Sequence, residues 1–223
     1  MSVLALDMRA DAALRIGDPN MTRVKPEQWT LFYNDSCRQL CEKCDVLQFR
    51  ATFDLTTEQV YPYPEEMTVL TRLEVNLDPT GTPLSWVPLD EKREDEFRAQ
   101  TRGLYPTATV PDSYLAEQNW FWLLPAPEAS IVGGGRVSYF GLPARVPDIV
   151  DTTLFELPEI CQDYVISRMV IFAKAARNRL VEAAADLQAW KDDTEGLGDR
   201  MLDRAKDRPS TIAPRRRRYA GMR

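Results

Sequence analysis

The sequence predicts an α+β fold, in which helices at the two ends of the chain form a bundle around which nothing else need fold. Two changes of hydrophobic period carry that reading. Apolar residues recur at every third or fourth position as far as Cys44, and again from Leu157 to Trp190, the spacing of one helix face. Between these stretches they alternate singly and are separated by Pro, Gly and Asp, the spacing of short strands. A third observation is the stretch after Pro209, which is basic, proline-punctuated and too poor in apolar residues to fold alone. The expected organisation is therefore N-terminal helices of the bundle over 1–45, an inserted antiparallel β module over 46–150, the long C-terminal helices of the bundle over 151–208, and an extended basic C-terminal tail over 209–223.

Each element follows from its residues. Leu4, Leu6, Met8, Ala12, Ala13, Leu14 and Ile16 make a loose helical stripe, stopped by Gly17-Asp18-Pro19-Asn20. Pro26 and Glu27 suit a helix start. From there Trp29, Phe32, Tyr33, Cys37, Leu40, Cys41 and Cys44 mark one face of a helix of about five turns. Leu47, Phe49, Ala51, Phe53 and Leu55 then alternate as a half-buried strand. Tyr61-Pro62-Tyr63-Pro64 reads as an extended corner, residues 67–77 as a second strand, Asp78 to Gly81 as a turn and 83–88 as a third strand. The polar run 89–103 predicts a short exposed helix. Trp120 to Leu124 predicts a strand ended by Pro125-Ala126-Pro127, Gly133-Gly134-Gly135 a hairpin turn, and Arg136 to Phe140 the returning strand. Leu157, Ile160, Cys161, Tyr164, Val165, Met169, Phe172 and Ala173 open the long C-terminal stripe. A bend is expected near Asn178 and a weakening at Gly196 and Gly198. Neither terminal stripe buries itself, so the two must pack on each other.

Composition excludes several chemistries. There is no histidine among the 223 residues, which removes Ser-His-Asp and Cys-His hydrolases and histidine-ligated metals. No apolar run approaches the ~20 residues of a membrane span, and no basic-then-apolar leader opens the chain, so no membrane partner is expected. The net charge of −6 opposes general coating of DNA.

Four motifs have a chemical reading beside a structural one. Cys37-x-x-x-Cys41-x-x-Cys44 has the spacing of the thiolate triplet that holds the iron–sulfur cluster of radical S-adenosylmethionine enzymes. That triplet needs a loop, whereas i, i+4, i+7 here continues an apolar helix face, so the cysteines read as core thiols; Lys43 also stands where those enzymes carry an aromatic residue. The Gly133–Gly135 run lacks the following helix of a phosphate loop. The acidic clusters Asp90 to Glu96 and Asp192 to Glu195 read as solvated helix faces rather than paired catalytic carboxylates. Trp120, Trp122 and Tyr139 are either core residues or a face turned to a second subunit or a tail component. Neither a catalytic residue nor a cofactor or metal site is expected.

The last ten residues, Pro214 to Arg223, hold five arginines and no acid. Arg215, Arg216, Arg217, Arg218, Tyr219 and Arg223 have three readings: a solvated tail, contact with DNA phosphate, or docking into an acidic or aromatic-lined groove of another protein. The last is preferred, because guanidinium forks pair with carboxylates and Tyr219 supplies an anchor.

Taken in order, these segments resemble the head-to-tail adaptor proteins of tailed bacteriophages, also called head completion or connector proteins. The stretches that carry the resemblance are Ile16-Gly17-Asp18, then Trp29, Asn34, Cys37 and Leu40 on the second helix, Tyr61 to Pro64 followed by Val69 to Val75, Pro111 with Tyr114, Trp122 to Pro127, Val137 to Pro143, and Leu157-Pro158 opening a long helix that reaches Trp190. Their order and spacing, rather than any one motif, carry it across nearly the whole chain. The resemblance implies a structural virion protein without enzymatic activity, made in the host cytoplasm and residing in the neck. It implies a homo-oligomeric ring of about twelve copies that binds the portal protein after packaging, extends the DNA channel and offers a docking platform to a tail or nozzle protein. Genome DNA would pass through without sequence-specific binding, and the arginine tail would enter the portal. The alternatives are another neck or tail component, such as a stopper, and, more remotely, an iron–sulfur protein.

Overall fold

A computed structural model describes residues 4–76, 86–96 and 110–206, with side chains of the final helix described as far as residue 197. The fold is mixed helix and sheet, and it divides into two compact units: one made of residues 1–47 and 142–223, the other of residues 48–141.

In the first unit, α1 (Ala5–Arg15), α2 (Pro26–Cys44), a 3-10 turn (Glu159–Cys161), α3 (Gln162–Ala176) and α4 (Leu180–Lys206) surround one apolar core. Helix α2 starts where expected: Pro26 sits in the first turn and the Gln28 side chain accepts the Lys25 N–H at 3.1 Å. It ends at Asp45, whose left-handed backbone (φ 49°) stops it. Asn178 (φ 58°) likewise breaks the C-terminal stripe into α3 and α4, where the bend was expected. The glycines at 196 and 198 do not stop α4, which runs on to Lys206. A glycine lowers helix propensity by only about 1 kcal/mol, and α4 is anchored by side chains on its core face. Trp190 donates its indole N–H to the Tyr164 carbonyl at 2.8 Å, and Leu197 is buried.

The terminal helices do pack on one another. Trp29, Leu40 and Cys41 of α2 share the core with Met8 of α1, with Val165 and Met169 of α3, and with Ala183 and Trp190 of α4. Polar bonds lock the chain's return from the sheet unit onto α2. Asn34 donates to the Val146 carbonyl (2.8 Å) and accepts its N–H (3.0 Å), Thr30 bonds Asp148 (3.2 Å), and Arg38 donates to the Pro143 carbonyl (3.2 Å). The α1–α2 loop is held by buried Asp18, whose carboxylate accepts the N–H groups of Thr22, Arg23 and Val24 and the Thr22 hydroxyl. Burial alone would raise the Asp18 pKa, but these donors outweigh it and hold the carboxyl below its ordinary value.

The second unit contains two four-stranded sheets. One has the order β1-β8-β3-β4, from β1 (Gln48–Leu55), β8 (Ile131–Gly141), β3 (Met67–Val75) and β4 (Val87–Pro88). The other has the order β2-β7-β6-β5, from β2 (Val60–Pro62), β7 (Trp120–Leu124), β6 (Ser113–Ala116) and β5 (Asp90–Glu91). They share a core in which Tyr61 stacks on Phe121 at 5.4 Å and Phe53 meets both rings.

Several expectations for this region are corrected. The Tyr61-Pro62 corner is part of an edge strand. Asp90–Glu91, expected at the start of a helix, is a strand, and it runs parallel to β6; the module is therefore not wholly antiparallel. Strand β6 was anticipated only through the Pro111 and Tyr114 segment that carries the resemblance, not from any alternation of its residues. The glycine run is no hairpin turn: it lies inside β8, the central strand, with only Gly133 at positive φ (64°). Gly135 is glycine because the Phe53 ring lies over it; a Cβ there would collide with that ring. Residues 92–93 are irregular and 94–96 helical. The expected turn at 78–81 and the rest of the 89–103 helix lie outside the described residues.

Two outcomes test this packing. Gly135→Ala is expected to lose about 1–3 kcal/mol in chemical denaturation through overpacking, and adding Phe53→Leu is expected to recover part of that loss. The second concerns the thiols. Cys37, Cys41, Cys44 and Cys161 are all free and buried. Burial pushes Cys44 up to about 11 and Cys41 and Cys161 up to about 12, with Cys37 raised as well. The folded chain should therefore resist thiol reagents at pH 8 and react fully in denaturant. Because the folded values are raised, stability should be complete below the ordinary thiol value of 9.0 and fall as pH rises through 9 toward 11.

Candidate functional site

The described residues present a candidate surface on the second sheet, the face turned away from its own core, where Trp120 is exposed and Leu115 is buried. In β7, Phe121 and Leu123 are buried in the core. Because strand side chains alternate, Trp120, Trp122 and Leu124 occupy the opposite face. Register extends that face across three strands: Trp122 lies between Val60 and Leu115, and Trp120 lies opposite Pro62. Trp120 is 48% exposed, and Trp122, Leu124 and Val60 are half-buried. The result is a nearly uncharged aromatic row on a rigid sheet, suited to binding an apolar protein surface.

Of the three aromatics singled out from sequence, the structure brings only two together. Tyr139 lies on β8 in the other sheet, is 7% exposed, and stacks on Phe49 at 5.5 Å. Burial, with Glu66 nearby, raises its phenol pKa. Its ring is spent inside the unit, so the candidate face reduces to Trp120 and Trp122. Arg215, Arg216, Arg217, Arg218, Tyr219 and Arg223 lie outside the described residues.

The cysteines occupy the core, not a cluster-binding loop. Cys37, Cys41 and Cys44 stand on one face of unbroken α2, with Cys161 in the same core. Cys44 donates weakly to the Thr194 carbonyl (3.5 Å). Burial raises the pKa of all four and keeps them protonated at neutral pH. Among the described residues, no group of three or more Cys, Asp or Glu is arranged to hold a metal ion. The acidic runs are exposed: Asp90, Glu91 and Glu94 to Glu96 around β5, and Asp192, Asp193 and Glu195 on α4.

One polar cluster escaped the sequence reading. Glu74 on β3 is 3% exposed and is gripped by Arg136 (2.6 Å) and Arg72 (2.8 Å), while Arg136 lies over the Trp86 ring at 4.3 Å. The signal was present in Arg72-x-Glu74, since a spacing of two puts both on one strand face. Only the register, Glu74 opposite Arg136, reveals the second arginine. This arrangement neutralises a buried carboxylate and leaves no open position for a substrate.

No helix among the described residues is long and apolar enough to cross a membrane. No curated protein matches the chain. Its order of elements, helices around an inserted sheet unit, is what the resemblance to phage adaptors led us to expect, and over residues 4–218 the chain matches the family model described as the SU10 adaptor protein, so that it belongs to this family of phage head-to-tail adaptors.

Proposed function

We propose that the chain is a non-enzymatic structural subunit of the virion neck, which assembles with about eleven further copies into a ring, binds the portal after packaging and gives the tail or nozzle its docking platform. The observation that carries this reading is the family match across residues 4–218. Four features support it. A helical unit closed by its own core suits lateral packing in a ring. A separate sheet unit offers an uncharged aromatic face, Trp120 with Trp122, to a further protein. The terminal Arg215 to Arg218, Tyr219 and Arg223 are suited to pairing with a carboxylate-bearing groove of the portal. The net charge of −6 would disfavour adhesion of DNA moving through the ring's channel.

Two variants separate these roles. Deleting residues 214–223 is expected to abolish co-sedimentation with the portal while circular dichroism and thermal unfolding stay unchanged; normal attachment would remove the tail from the portal contact. Trp120→Glu, at a position already half in solvent, is expected to leave portal attachment intact and to reduce capture of the tail component at least tenfold. Unchanged capture would move the tail contact elsewhere.

A further inference from the structure

The sheet edges of the second unit differ sharply in how they are protected. Edge strand β2 has three residues and ends in Pro62, β4 has two and ends in Pro88, and β5 has two, both acidic. The length of β3 that β4 leaves uncovered carries two register irregularities, between Met67 and Val69 and between Leu70 and Arg72. Prolines, short length, charge and bulges are the usual means of blocking strand addition.

Strand β1 has few of these guards. It is an edge strand of eight residues, paired only to β8. From Gln48 to Phe53 it runs in unbroken register against Phe140 to Gly135, with its one irregularity beyond Phe53. It contains no proline. No other described strand or side chain takes up its outer backbone groups. Its two faces are sorted: Phe49, Ala51 and Phe53 are half-buried on the core side, while Gln48, Arg50, Thr52 and Asp54 are exposed.

We infer that β1 is a self-pairing edge: two copies of the free chain join antiparallel through β1 about a twofold axis at Thr52. Antiparallel partners that lie opposite each other share a face. The residue numbers of each pair must therefore add to an even total, and the axis must pass through a residue. An axis at Ala51 sets Arg50 against Thr52 and Gln48 against Asp54. An axis at Phe53 sets Arg50 against Thr56. Only the axis at Thr52 sets Arg50 opposite Asp54, and symmetry does so twice. The same register pairs Thr52 with Thr52, a favourable β-branched hydroxyl pair, and covers Phe49 with Leu55 and Ala51 with Phe53 of the other copy. Asp54 Oδ1 accepts the Gly133 N–H on the β8 side at 2.7 Å, and Arg50 forms no ion pair among the described residues. The joined sheets read β4-β3-β8-β1 and onward through the second copy in reverse, with both inner faces on one side. This pairing rests on the sheet edge and not on the adaptor reading, and it describes the chain before assembly.

Sedimentation velocity of the full chain over a concentration series, together with single cysteines at the edge, tests it. The native thiols are buried and give little background. A reversible dimer is expected, in which Thr52→Cys cross-links to itself under mild oxidation, since opposed Cβ atoms lie about 4.5–5.5 Å apart. Gln48→Cys, which faces Thr56 of the other copy, should not cross-link to itself. Arg50→Glu, which sets like charges opposite each other at two places, should weaken the dimer at least tenfold, and Thr52→Pro should abolish it with the far-ultraviolet dichroism retained. A chain that stays monomeric with no Thr52→Cys cross-link would overturn the inference. So would a dimer indifferent to Arg50→Glu and Thr52→Pro, or one cross-linked equally well through Gln48→Cys.

Discussion

The structure depends on one packing constraint: most of the apolar stripe of α2 stays uncovered until the C-terminal third of the chain exists. Trp29, Tyr33, Cys37, Leu40 and Cys41 are covered by residues from α3 and α4, with Met8 and Ala12 of α1 completing the core. Each helix taken singly would leave its stripe in water, and helices of this length gain most of their stability from such burial. The return segment makes the closure specific. Asn34 is a buried polar residue at that closure; it satisfies both backbone groups of Val146 and so fixes where the chain rejoins the helices. A buried amide with only one partner would be costly, which turns this contact from mere adhesion into registration.

Against that constraint, inserting residues 48–141 is tolerable, because loop-closure cost rises only logarithmically with length. The insertion also brings its own core. Leu55, Leu73, Val75, Phe121, Leu123 and Val137 are buried in one cluster drawn from the two sheets. Two cores, each with its own aromatic centre, explain how one chain of this size provides two separate surfaces.

What the sequence revealed follows from the strength of its periodic signals. The long stripes of α2 and α3 were legible because each repeats over several turns, and the stop at Asn178 because a left-handed residue interrupts the stripe. The alternation in β1 and β3 was legible for the same reason. The short strands were not: β5 is two charged residues, whose strand state comes entirely from pairing with Ser113 and Tyr114, and tertiary context overrides propensity at that length. The glycine run misled because glycine suits both a tight turn and a crowded strand. Only the position of the Phe53 ring, distant in sequence, distinguishes them. The candidate face shows the same limit. Trp120 and Trp122 were recognisable as neighbours by their spacing, whereas Val60, Leu115 and the inward turn of Tyr139 follow from strand order, which no local pattern encodes.

One pairing in the first sheet has a consequence for how the insertion joins the chain. Gln48, where the chain enters the sheet unit, stands opposite Phe140, at its exit, so the entry and exit strands are hydrogen-bond neighbours about 5 Å apart. An insertion with adjoining ends behaves as a cassette. A shorter hairpin whose ends adjoin in the same way would bridge Leu47 and Leu142 just as the whole insertion does.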